Sequence, residues 1–180
     1  MPLTHVAIVA VDGFSPFHYS VPCILFGDTV SGKKRFNVTI CAEKPGLLTS
    51  PDGFALNATQ DYSAIGQADI VVVPYWQHVL ARPPQALLDS LVQAKDRGAE
   101  IVGLCLGSFV LGYAGILDGK RAATHWEFER QFQTLFPNVQ LDINALYVDD
   151  DRIITSAGTA AALHQAGKAE DDVGGHVGAH

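Results

Sequence analysis

One thiol in this sequence stands between two glycines at two-residue spacing, in Gly103-Leu104-Cys105-Leu106-Gly107. The spacing is that of the G-x-S-x-G nucleophile pattern, with sulfur in place of the hydroxyl. A nucleophile on a sharp strand-to-helix turn is crowded by backbone, so only small residues fit two places before and after it. At the start of the following helix, unpaired N–H groups and the helix dipole favour thiolate over thiol. The chemistry implied is nucleophilic attack by Cys105. The competing reading is a buried structural cysteine in a glycine-containing apolar segment.

Strands and helices must deliver that turn, and the pattern of apolar residues supplies them. His5 to Val11 is a β-branched run closed by Asp12-Gly13, as expected of a buried parallel strand. A helix over 16–30, interrupted or kinked around Pro22, should follow, with Phe17, Val21, Leu25 and Phe26 on one side. Phe36 to Ala42 reads as a second strand, and two short strands flank the Pro51-Asp52-Gly53 turn. Asp69 to Pro74 is a short continuous apolar strand. Pro83-Pro84 opens a helix through Arg97 with Leu87, Leu88, Leu91 and Val92 on its apolar face, and Gly98 stops it. Glu100 to Leu104 then leads into Cys105 and a helix ending near Gly115.

Further on, a strand is expected over Arg121 to Trp126 and a helix over Glu127 to Phe136. Strands at Val139 to Ile143, Ala145 to Val148 and Arg152 to Ser156 complete the set, with Asp149-Asp150-Asp151 as a hairpin turn. Such alternation describes an α/β fold with a mostly parallel sheet covered on both faces. From Ala157 to Leu163 a turn into a covering helix is expected. The stretch after it, HQAGKAEDDVGGHVGAH, has the composition of a frayed tail, so the domain is set at 1–163 and the tail at 164–180.

The composition excludes several classes of function. With 12 basic and 19 acidic residues the net charge is −7, so the surface should repel nucleic acid, and the cluster Lys33-Lys34-Arg35 reads as a solvated turn. Cys23, Cys41 and Cys105 form no C-x-x-C pair, which points to reduced thiols in a cytoplasmic protein. No apolar segment approaches membrane-spanning length. The histidines have no H-E-x-x-H spacing, so no metal site is expected, and no cofactor motif is present.

The segments VAIVAVDGF with Pro22 downstream, DIVVVP, IVGLCLGSFVLGYAGILDGKRAATHW and IITSAGTAAAL together resemble the class I glutamine amidotransferase-like superfamily of the PfpI type. More narrowly, the chain is similar to the amino-terminal domain of AraC-family transcription regulators over roughly residues 4–163. The resemblance implies a flavodoxin-like three-layer sandwich. It also implies that His125, in the Thr124-His125-Trp126 segment, approaches Cys105 and could take its proton. By itself His125 could equally be a hydrogen-bonded strand-end histidine.

Three departures weaken inherited catalysis. Enzymes of the superfamily often place a carboxylate where this chain has His18, and a histidine cannot serve as that acid. The glycine-rich loop that helps form an oxyanion hole is replaced by Tyr75-Trp76-Gln77-His78, which suits a ligand-lining wall. The protease-like members carry histidine directly after the cysteine, where this chain has Leu106. The expectation is therefore a non-catalytic, ligand-sensing and dimerising domain of a regulator. Its pocket around Cys105 would be lined by His18, Tyr75, Trp76, His78, Leu106 and Trp126. DNA would be reached only through a carboxy-terminal helix-turn-helix domain that this chain lacks. The alternative is a small hydrolase, hydratase or glyoxalase-like enzyme using Cys105 and His125.

Overall fold

A computed structural model describes residues 2–27 and 32–158 of the chain. The expected end of the first helix, the covering helix from Thr159 and the tail lie outside the described residues. In chain order the elements are β1 (Thr4–Val9), α1 (Pro16–Phe26), β2 (Phe36–Cys41), β3 (Gly46–Thr49), β4 (Ala55–Ala58), a 3-10 segment (Tyr62–Gln67) and β5 (Ile70–Val73). There follow α2 (Gln85–Asp96), β6 (Glu100–Leu104), α3 (Gly107–Tyr113), β7 (Arg121–Ala122), a 3-10 turn (Trp126–Phe128), α4 (Glu129–Leu135), β8 (Gln140–Leu141), β9 (Tyr147–Asp150) and β10 (Ile153–Ser156).

The main sheet has six strands in the order β2-β1-β5-β6-β10-β9. All neighbours are parallel except β9, which pairs antiparallel with β10 at one edge. Strand order reverses on either side of β1, so the fold is the doubly wound, flavodoxin-like one. Burial on both faces explains the unbroken apolar runs: in β1, Ala7 and Val9 join one core and Val6 and Ile8 join the other. The first core lies under α2, α3 and α4, and the second under α1 and the β3–β4 hairpin. Helix α2 buries Leu87, Leu88, Leu91 and Ala94 and is stopped by Gly98 at φ +94°.

Four expectations are corrected. Pro22 sits inside α1 without ending it; its missing N–H leaves the His18 carbonyl without its helical donor. The strand over Arg121 to Trp126 shrinks to Arg121–Ala122, paired with β8 in a separate small sheet, because Thr124 and His125 are diverted into side-chain bonds described below. The helix over 127–136 is a 3-10 turn followed by α4. Finally, Asp149 and Asp150 belong to β9, and the turn is Asp151-Arg152, with φ of +55° and +61°. Positive φ at both turn residues matches the twist of a two-residue hairpin.

Candidate functional site

Cys105 occupies the turn between β6 and α3 with φ +53°, a region that residues other than glycine seldom adopt. Its N–H donates to the Ser156 carbonyl at the end of β10, 3.0 Å away. The flanking glycines have a steric cause. A Cβ on Gly103 would lie 3.0 Å from Leu111 Cδ2 and 3.1 Å from Ser108 Cα, and one on Gly107 would lie 1.9 Å from the Val73 carbonyl oxygen. The turn is thus wedged between α3 and the end of β5.

The thiol is almost sealed, with Cys105 only 3% exposed. Burial pushes its pKa up to about 11, while the Leu106 N–H acts in the opposite direction and is outweighed. The activation expected at a helix start is therefore the smaller effect, and α3 is only 7 residues long.

Tyr75 runs beside this turn, and the two candidate histidines are His18 and His125. His18 projects from α1, which the Tyr19 hydroxyl pins to the sheet by donating to the Val9 carbonyl. The His18 ring lies 4.9 Å from the Tyr75 ring at 32°, and its Nδ1 is 2.7 Å from the Ser15 hydroxyl. Ser15 begins α1, but its hydroxyl goes to His18 rather than to the helix N–H groups. Burial first, and the charge of nearby His125 second, hold His18 below its usual pKa. Burial, and then the charge Cys105 would carry, push the Tyr75 phenol up. The ring contact thus joins His18 to Tyr75, and charge effects couple Tyr75 to Cys105 and His18 to His125.

His125 begins the 3-10 turn rather than ending a strand. Its Nδ1 accepts the Glu127 N–H at 3.3 Å, so in the neutral ring the proton resides on Nε2. The Glu127 carboxylate lies 4.0 Å from the same nitrogen. The Trp126 ring stacks on His125 at 5.8 Å but is itself 70% exposed.

Two residues that fasten this arrangement, Ser108 and Thr155, were not among the predicted site residues. The buried Ser108 hydroxyl donates to the Cys105 carbonyl at 2.8 Å and meets the Thr124 hydroxyl at 2.7 Å. Thr155 in β10 accepts the Ala123 N–H at 2.8 Å. Together they tie the segment leading to His125 onto the Cys105 turn. Small hydroxyl residues inside apolar runs are the trace they leave in sequence.

The remaining predicted pocket residues separate. Leu106 is buried at the start of α3. Trp76 and His78 line a cleft of about 390 Å³ at the carboxyl ends of β1, β2 and β5. Neither Cys105 nor His125 lines that cleft, nor a smaller one of about 220 Å³ between α1 and the β3–β4 hairpin. Among the described residues, no group of three or more His, Cys, Asp and Glu side chains could hold a metal ion, and no helix is long and apolar enough to cross a membrane.

The profile of the DJ-1/PfpI family matches residues 4–169, nearly the whole chain. The chain belongs to the DJ-1/PfpI family. Within it, the chain is 29% identical over 116 residues to the HTH-type transcriptional regulator CdhR of Pseudomonas aeruginosa, covering 64% of this chain and 34% of the regulator. It is 30% identical over 118 residues to the isonitrile hydratase of Pseudomonas putida, covering 64% of this chain and 50% of the hydratase. The chain thus spans from a third to a half of the length of these relatives. A solved AraC family transcriptional regulator from Pseudomonas putida has the same fold, with a TM-score of 0.76 and 20% identity, covering 94% of this chain and 91% of that one. DJ-1/PfpI membership therefore joins this chain to relatives of two kinds, regulators and an enzyme.

Proposed function

We propose that this chain is the ligand-sensing and dimerising domain of an AraC-type transcription regulator, with no catalysis of its own. It works in the cytoplasm as a homodimer and reaches DNA only through a separate helix-turn-helix domain. The observation that carries this reading is the burial of the Cys105 thiol, which keeps it protonated at neutral pH, where a cysteine nucleophile must be thiolate. The side chains around it agree. His18 stands where an enzyme would place an acid, and the His125 nitrogen that lacks a proton is engaged by Glu127. Regulator relatives such as CdhR support the same reading. In this role Cys105, Tyr75, His18 and His125 form a packed wall that responds to a ligand bound nearby.

The alternative, a cysteine-dependent hydratase or hydrolase pairing Cys105 with His125, is favoured by the positive φ at Cys105 and by the isonitrile hydratase relative. The two readings differ in the titration of one thiol. Iodoacetamide modification of Cys105, followed by peptide mass across pH 7–12, is expected to rise with a midpoint near 11. A midpoint at or below the ordinary thiol value of about 8.5 would overturn the non-catalytic reading. Stability should follow the same sign. The folded pKa lies above the unfolded one, so this thiol's contribution is intact below about pH 8.5 and is lost as pH rises towards 11.

A further inference from the structure

Helix α1 packs on β2 and contains no Asp, Glu, Lys or Arg, in a chain whose net charge is −7. Its outward positions are Phe17, Ser20 and Ile24, spaced i, i+3 and i+7, so they form one stripe along the helix. Phe17 is 63% exposed and Ile24 45%, and the small Ser20 leaves a low point between them. Beside the stripe runs the cleft of about 220 Å³, lined on the helix side by Ser20 and Cys23 and on the hairpin side by Phe54 and Leu56. Strands β3 and β4 are likewise uncharged. An apolar stripe with an apolar cleft next to it is a surface that water does not favour. The occupant that fits it is a second copy of this chain. Two copies of charge −7 repel unless they meet where charge is absent, and α1 with the β3–β4 hairpin strands is such a place. The stripe is also self-complementary: in a two-fold pairing that crosses at Ser20, the projecting Phe17 of each copy is offered the cleft of the other. A charged partner would find nothing on this face to pair with.

Behind the stripe, the same turn of α1 meets the residues around the thiol. The Phe17 ring meets the His18 ring edge to face at 5.5 Å, and His18 packs on Tyr75 at 4.9 Å. Tyr75 leads directly to Trp76, which with Asp12, Glu43 and Lys44 lines the cleft at the carboxyl ends of β1, β2 and β5. Pro22 has no N–H to give the His18 carbonyl, so the first turn of α1 is tied to the second by one bond fewer. What fixes that turn instead is the ring contact with Tyr75, the Ser15–His18 bond and the Tyr19 bond to the Val9 carbonyl. We propose that the outward stripe of α1 is the face on which a second copy of this chain docks, and that the Tyr75–His18 contact behind it sets how tightly the two copies hold. This rests on the sensing and dimerising function above, and it names the face and the route that join the two.

Sedimentation velocity of the whole chain, at concentrations up to about 200 µM, reads the dimer constant directly. The parent is expected to dimerise. Phe17→Asp and Ile24→Glu should each raise the dissociation constant about thirtyfold or more. Both should keep the parent's circular dichroism, because the positions are exposed and an acidic residue in the first turn suits the helix dipole. Leu146→Asp, at an exposed position just before β9 on the opposite edge of the sheet, should leave the constant unchanged. Tyr75→Leu removes the ring that packs on His18 and should weaken the dimer about fivefold, whereas Tyr75→Phe keeps the ring and should retain the parent constant. A dimer that withstands both Phe17→Asp and Ile24→Glu would overturn the docking face and leave dimerisation standing on another surface. Dissociation by Phe17→Asp, with a Tyr75→Leu dimer as tight as the parent, would overturn the coupling. A parent that stays monomeric throughout would overturn the inference together with the dimerising part of the function above.

Discussion

Gly107→Ala is expected to destabilise the fold by about 3 kcal/mol or more, enough to leave a marginally stable domain largely unfolded in mild denaturant. The added Cβ would lie 1.9 Å from the Val73 oxygen, 2.8 Å from its carbonyl carbon and 3.3 Å from the Tyr75 nitrogen. These are backbone atoms at the end of β5, and β5 is held between β1 and β6 by parallel pairing on both sides. No rotamer change can relieve such a contact; either the strand or α3 must retreat. Gly103→Ala should cost less, because its tightest contact is the Leu111 side chain, which can yield. Gly66→Ala meets nothing within 4 Å and should stay within about 0.5 kcal/mol of the parent. Urea midpoints of the three variants give the comparison. If Gly107→Ala unfolds with Gly66→Ala, α3 does not approach β5 this closely.

The same glycines explain why the centre of the fold was legible in sequence. Continuous β-branched runs mark β1, β5 and β6 because each is buried on both faces, and Gly103 and Gly107 bracket Cys105 because two backbones converge there. The periphery was less legible. β7 pairs with β8, which lies beyond α4 in sequence, so nothing local shows that the strand stops at Ala122. Thr124 and His125 are β-compatible residues, but their side chains bind Ser108 and the Glu127 N–H instead of extending a strand. The hairpin turn falls at Asp151-Arg152 rather than within the acidic run because β9 needs Asp150 opposite Ile153.

The candidate site divides along similar lines. The neighbourhood of Cys105 with His125 and His18 followed from family resemblance, not from spacing, since the three residues belong to separate elements. Sequence reasoning placed Trp76 and His78 at a thiol pocket because they replace the family's loop after DIVVVP, yet both line a cleft that Cys105 does not. Asp12 signalled only a turn, and Glu43 and Lys44 only a polar loop. Their convergence depends on the order β2-β1-β5, which no single stretch of sequence contains.

Phe109 is where fold and site are coupled most strongly, and Phe109→Ala is expected to cost roughly 3–5 kcal/mol. The side chain is 0% exposed. Its ring meets Phe132 at 5.1 Å, Phe136 at 5.9 Å and Phe128 at 6.4 Å, each edge to face, so it is the hub through which α3 packs on α4 and the turn before it. The surroundings have little room to collapse into the void. Gly112 already lets the Phe136 ring approach to 2.6 Å of where a Cβ would stand, and the ring is further held by Tyr113 at 5.0 Å. A cavity of benzyl size should therefore persist and weaken the hold on α3. The residue before Phe109 in α3 is Ser108, whose hydroxyl joins the Cys105 carbonyl to Thr124. Looser packing of α3 should expose the thiol and let its pKa fall from about 11 towards the ordinary thiol range. Two measurements on one variant then test the coupling: a lower urea midpoint, and iodoacetamide modification of Cys105 that starts at lower pH than in the parent. Leu135→Ala, at a 37% exposed position on α4, should change neither by much. A Phe109→Ala protein that loses stability while its thiol titrates unchanged would show that the burial of Cys105 is maintained by the sheet and Val73 alone, independently of the aromatic cluster beneath α3.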